Sequence, residues 1–256
     1  MPGLRLSALA RSAVFAPVLP GGRVEAVVQR LTDSMALGML HDGEQLPAQQ
    51  DLAADLGVSL VTLREALSQL QQRGLVETRR GHRGGSFVRL NAEASAVAAR
   101  ERLYKMSSHE LVDLADMQRA VSGQASRLAA ERGTPDFVTR LSTHIDHLEQ
   151  VGTLGERMRI DGRFLIEVAA ASQSVRLTRA EMHLQAEVND LRWLPPADNA
   201  APGPLTLDPV QAAASHRELI TAIAAADGAA AQAVAEARVD ADLQRLIALH
   251  MRLLGS

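Results

Sequence analysis

Five arginines crowd one short glycine-rich stretch of the chain: Arg73, Arg79, Arg80, Arg83 and Arg89, with Glu77 as the acid among them. Five positive charges against one negative give a local +4, in a chain whose net charge is -3, so a polyanion would be gripped at this place and not by the whole surface. The other chemistry-bearing residue types are sparse. The chain has no cysteine, which excludes a disulfide framework, a thiolate zinc site and a cysteine nucleophile. His144 and His147 stand three apart in a helical pattern, but Asp146 and Glu149 intersperse them and no third ligand follows, so an exposed helix face is expected. Nothing reads as a nucleophile elbow, a phosphate loop or a pair of catalytic carboxylates, which argues against an enzyme.

The elements that must carry the arginine cluster can be read from periodicity. Val24, Val27, Val28, Leu31 and Met35 recur at helical spacing between Gly22 and Leu40. A second short helix, 48–56, ends at Gly57, and a third begins after Ser59, whose hydroxyl suits an N-cap; it runs to Arg73 with Leu63, Ala66, Leu67 and Leu70 on one face. Leu75 to Thr78 and Ser86 to Leu90 flank the glycine-rich turn as a hairpin. A linker helix is expected near 91–102, followed by helices near 109–132, 134–151, 154–171, 174–194, 209–226 and 228–254. The segment between Pro195 and Pro209, rich in Pro and Ala, reads as an irregular loop, and Met1 to Pro20 as a flexible arm with no membrane anchor. Aromatics are only 2% of the residues against 46% hydrophobic in all, which favours closely packed helices over sheet. The expected fold is therefore mainly α: a winged helix-turn-helix with a small β-hairpin over 21–90, a linker at 91–107, and an all-α bundle over 108–256.

The stretch 41–90 resembles the winged helix of the GntR superfamily. The resemblance lies in Leu46-Pro47, Asp51-Leu52-Ala53, Leu56-Gly57-Val58-Ser59, Thr62-Leu63-Arg64-Glu65-Ala66-Leu67, Gly74-Leu75-Val76-Glu77, Arg80-Gly81 and Gly84-Gly85-Ser86-Phe87-Val88. It implies that Ser59, Thr62 and Arg64 face operator DNA from a recognition helix. Arg80, Gly81 and His82 match the wing tip that enters the minor groove, and Arg79 and Arg83 flank it. The family usually carries arginine where this chain has Gln50 and Leu60, so an atypical operator or weaker binding is expected. For Arg64 the alternative is an ion pair with Glu65 or Glu77.

The remainder resembles the helical ligand-binding domain of the FadR subgroup, in Leu111 to Ala130 with its Arg127 to Thr134 ending, in Phe164 to Ser172, and in Ser215 to Ile223 followed by Asp227. Many members hold a divalent metal with one Asp and three His. Those positions fall on Asp116, Leu165, His216 and Arg238, and since two donors hold a zinc-type ion poorly, no metal or other cofactor is expected. Asp116, Arg119, His216 and Arg238 form the expected effector-binding set, with Arg238 supplying the missing positive charge to Asp116 or to an anionic effector. The alternative for Arg238 is an outward side chain paired with Glu236 or Asp242. The resemblance implies a cytoplasmic, homodimeric transcription repressor that binds double-stranded operator DNA and is released by a fatty acid, an acyl-CoA or an organic acid. The rival reading is a DNA-binding protein whose helical domain only dimerises.

Overall fold

The structure is a computed structural model that describes residues 23–37, 40, 42–79, 84–90, 92–195 and 205–255. The expected arm, the wing tip and the middle of the Pro/Ala-rich loop lie outside the described residues. Three helices and a hairpin open the chain: α1 (Arg23–Ala36), α2 (Gln49–Leu56), α3 (Leu60–Gln72), β1 (Val76–Arg79) and β2 (Gly85–Val88). The strands pair antiparallel with Val76 opposite Val88 and Arg79 opposite Gly85, and Gln45 adds an isolated bridge to Phe87.

Local chemistry explains the turn between α2 and α3. Gly57 takes φ 66°, a left-handed conformation in which its lack of Cβ avoids a clash, and its N–H returns to α2 carbonyls. Two residues later the Ser59 Oγ accepts the Thr62 N–H at 3.1 Å and caps α3. Leu31, Leu52, Leu56, Leu63, Leu70, Val76 and Val88 then close a single core beneath the three helices and the hairpin.

The helix α4 (Ala92–Lys105) follows, then α5 (Ser108–Gln118), a π-helical turn (Arg119–Gly123), α6 (Gln124–Arg132), α7 (Pro135–Gln150), α8 (Leu154–Ala171), α9 (Val175–Arg192), α10 (Pro209–Ala224) and α11 (Gly228–Leu254). Ser107 and Glu110 form a reciprocal capping box at the start of α5. Phe137, Leu141, Ile145, Phe164, Leu219 and Ile223 centre the bundle core. A separate apolar cluster of Ala99, Leu103, Leu111, Leu191, Leu246 and Leu249 fastens α4 to the bundle, so the linker helix is docked through its Ala96, Ala99 and Leu103. α9 also packs against α1 of the N-terminal unit. The one expected helix over 109–132 is two α-helices joined by the wide π turn. Among the described residues no helix is long and apolar enough to cross a membrane.

Candidate DNA interface and effector site

The face expected to meet DNA is built on α3. Leu63, Ala66, Leu67 and Leu70 are buried, which turns Arg64 and Ser59 outward. Arg64 Nε donates to Gln49 Oε1 of α2 at 3.2 Å, so its reach is steadied by a neutral partner, and the ion pair with Glu65 or Glu77 does not form. The Ser59 and Thr62 hydroxyls lie 2.8 Å apart. An exposed helix N-terminus with two hydroxyls and a steadied guanidinium suits the major groove, where donors meet phosphates and base edges.

In the hairpin, Glu77 accepts from both Arg79 (3.3 Å) and Arg89 (2.6 Å), while the Arg79 guanidinium lies 4.4 Å from the Phe87 ring centre. The two arginines hold the Glu77 carboxyl below its usual range. Part of the local +4 is thereby neutralised within the strands. Arg80, Gly81, His82 and Arg83 lie outside the described residues.

In the bundle the structure separates the residues that the resemblance had grouped. Asp116 is exposed and pairs with Arg119 at 2.5 Å, and Arg119 reaches on to Asp240 at 2.6 Å. Both are corrected here from interior to surface. The reason is helical phase: Leu111, Ala115, Gln118 and Ser122 form the buried stripe, and Asp116 sits about 100° around from Ala115. Leu165, His216 and Arg238 do lie inside, all buried. His144 is a further correction, because it faces the core while His147 stays outside. Burial, with Arg163, His147 and Arg140 nearby, drops the His144 pKa to about 4.

The interior centre has Asp161 of α8 at its middle. Its carboxylate accepts from His216 Nε2 at 2.6 Å, from Trp193 Nε1 at 2.8 Å and from Arg192 Nη1. Burial alone would raise its pKa, but the Arg192 charge and these hydrogen bonds outweigh it and hold Asp161 far below the usual carboxylate range. His216 stacks on Phe164 with ring centres 4.0 Å apart. Burial, together with Arg192 and Arg238, lowers the His216 pKa against the pull of Asp161, so the ring is neutral and its Nε2–H donates to the carboxylate.

The long helix α11 adds Arg238, Asp242 and Arg245, spaced four and three residues apart on one face. Arg192 Nε lies 2.7 Å from Asp242, whereas Arg238 Nη1 only reaches it at 3.5 Å. Arg238 Nε and Nη2 are buried with no hydrogen-bond partner, as is His216 Nδ1. Nearby, Glu181 accepts from Ser122 at 2.8 Å and from Gln185 at 2.7 Å, and burial raises its pKa. Gln118 Nε2, on the same buried stripe as Ser122, also lacks a partner. Sequence reasoning missed Asp161, Glu181, Arg192 and Arg245, and it named Asp242 only as a partner for an outward Arg238: the pairing forms, but with both side chains buried. The available signal was charged residues falling inside the apolar stripe that Ala231, Ala235, Leu246 and Leu249 mark on α11.

These residues do not fit a divalent ion. Leu165 offers no donor, Asp116 is at the surface, His216 is committed to Asp161, and Arg238 brings positive charge to the place where a cation would sit. No group of three or more potential ligands assembles among the described residues.

A capped, outward recognition helix beside a hairpin, joined by a docked helix to a bundle with charged groups at its heart, defines a winged-helix DNA-binding regulator carrying its own ligand-binding domain. The chain belongs to the GntR family of bacterial regulatory proteins. Residues 23–88 match the family described as "Bacterial regulatory proteins, gntR family" and residues 113–253 match the "FCD domain". It is 40% identical over 202 residues to RmpR of Mycobacterium gastri, named as an HTH-type transcriptional regulator, a match spanning 79% of this chain and 72% of that one. It is 30% identical over 243 residues to the HTH-type transcriptional regulator Rv0494 of Mycobacterium tuberculosis, spanning 93% and 95%. Similarity to the Escherichia coli Glc operon transcriptional activator is 29% over 157 residues, 59% of this chain and 61% of that one. The solved structure of E. coli McbR/YncC shares the fold at a TM-score of 0.51 and 17% identity, over 91% of this chain and 99% of that chain. The family is one of transcription regulators and not of enzymes.

Proposed function

We propose that this regulator represses transcription from an operator held by Ser59, Thr62, Arg64 and the wing, and that a small carboxylate, entering the bundle beside Arg238, releases it. The observation that carries this reading is the buried Arg238 guanidinium with two donor atoms unpartnered. A buried guanidinium with unmade hydrogen bonds is costly, and a carboxylate satisfies such a fork with two parallel bonds. Gln118 Nε2 is a further open donor and the His216 Nδ1 lone pair an open acceptor, enough to orient a carboxylic or hydroxy acid.

The working units of the reading are 21–90 for DNA, 91–107 for the link and 108–256 for effector and dimer. Exposed Val97 and Tyr104 on α4 and Leu254 on α11 line one groove together with Arg100, Glu101 and Lys105, a mixed apolar and charged face that suits a second copy, and two winged units would then read an inverted repeat. Asp116 and Arg119 take no part in the effector site on this reading.

The test is binding of the purified protein to its own upstream DNA at fixed salt, with and without a panel of small carboxylates, fatty acids and acyl thioesters, in the wild type and in Arg238→Met. Release by one compound in the wild type only is the expected result. Tighter DNA binding with that compound would reverse the sign of the switch and sink release as its mechanism. Specific DNA binding that no compound alters would leave the helical domain as a dimerisation device and sink the effector reading.

A further inference from the structure

A cavity of about 160 Å3 lies where the winged unit, α4 and the bundle meet. Met35 and Leu90 line it from the winged unit, Ala96 from α4, and Leu154, Met158 and Leu194 from the bundle. It is remote in composition from the Asp161 centre, since none of that centre's charged residues line it. Three charged side chains stand in its wall: Asp42, Asp190 and Arg159. The two acids are already engaged. Asp42 accepts the Leu90 N–H at 2.8 Å, and Asp190 accepts Arg102 at 2.5 Å and the Leu191 N–H at 2.8 Å. Arg159 makes no hydrogen bond or ion pair among the described residues. Glu156, one turn earlier on α8, is near enough to attract Arg159 through space, but its carboxylate is held by the Thr153 hydroxyl at 2.6 Å and makes no hydrogen bond to the guanidinium.

We propose that this junction cavity is a second ligand site, which takes a monocarboxylate with a compact apolar body, the carboxylate on Arg159 and the body among Met35, Leu90, Leu154, Met158 and Leu194. Size and charge together select this class. A 150 Å3 apolar cavity holds benzene, so the body has about six heavy atoms, and the open charge in the wall is positive. A ligand seated there touches all three units at once. It ties the winged unit to the bundle and so biases how far the recognition helix can swing, independently of the interior centre.

The probe is hexanoate, titrated calorimetrically into the full-length protein, with acetate and hexylamine as ligand controls. Wild type is expected to bind hexanoate, while acetate, which lacks the body, and hexylamine, which reverses the charge, bind at least about tenfold more weakly. Arg159→Gln keeps the fold because the side chain is part-exposed, and it is expected to weaken hexanoate about tenfold. Ala96→Leu fills the cavity and is expected to abolish it, with the circular dichroism spectrum as the check on folding. Arg238→Met, which disables the interior site, leaves this binding intact. Loss in Arg238→Met with retention in Arg159→Gln would place the single site inside the bundle and overturn the proposal without harming the functional reading. No heat from hexanoate in the wild type, or equal binding of hexylamine, would also overturn it.

Discussion

Replacing Arg238 by methionine is expected to stabilise the free protein while removing its response to effector. Each acid near Arg238 has closer partners of its own: Asp161 has Arg192, Trp193 and His216; Asp242 has Arg192 Nε at 2.7 Å; and Glu181 accepts from Ser122 and Gln185. Against this, Arg238 offers one contact to Asp242 at 3.5 Å and leaves Nε and Nη2 unpartnered in a fully buried setting. An unmade buried hydrogen bond costs about 1–3 kcal/mol, and replacement of a buried charge by an apolar side chain of similar volume is often stabilising by about 1–4 kcal/mol. Allowing for the lost attraction to Asp242, the net gain is about 1–3 kcal/mol. In a chain of this length that raises Tm by roughly 2–10 °C. The assay is thermal unfolding followed by circular dichroism on the DNA-free protein, paired with operator release by the active carboxylate. A Tm that falls by several degrees would refute the reasoning, because it would make the Arg238–Asp242 contact a structural tie and leave no surplus donor for a ligand.

Asp161→Asn should act in the opposite sense, destabilising by about 3–5 kcal/mol in the same melting assay, since it removes the anion that Arg192 faces in the interior. His144 gives a pH dependence of definite sign: with a folded pKa of about 4 against an ordinary value near 6.5, the unfolded chain binds the proton first. Stability is therefore full above about pH 6.5 and falls by at most about 3 kcal/mol as pH drops towards 4, a loss that His144→Leu should abolish in denaturant titrations. Arg64→Ala should weaken operator binding by about 1–3 kcal/mol and relax base preference at one position of each half-site, measured with single-base operator variants. Arg79→Ala should instead weaken all sequences alike and lessen the slope of log affinity against log salt, by at most about one unit.

The winged unit was legible because its signals are local. Gly57 at a left-handed turn, Ser59 at a cap and the apolar spacing of Leu63, Ala66, Leu67 and Leu70 each act within a few residues, and together they fix which way Arg64 points. The interior centre was not legible, since it is assembled from α8, α9, α10 and α11, and no local pattern says that Asp161 meets Arg192 and His216. His216 and Arg238 were found through family likeness and do fall inside. Asp116 and Arg119 were misplaced because the likeness carried residue types without helical phase. The buried stripe through Ala115 and Gln118 could have corrected them. The π turn at Arg119–Gly123 had no sequence signal that periodicity alone could read.

Trp193 is the sole tryptophan of the chain, and its indole N–H points at the Asp161 carboxylate in the bundle interior. Excited at the red edge of its absorption, where the lone and exposed Tyr104 contributes little, it reports on that one bond by its emission. A ligand that draws Asp161 or Arg192 away changes the charge beside the ring and shifts its colour, while a ligand confined to the surface leaves it unaltered. The protein thus supplies a label-free optical gauge, by which occupancy of the interior can be followed in real time, with no DNA present.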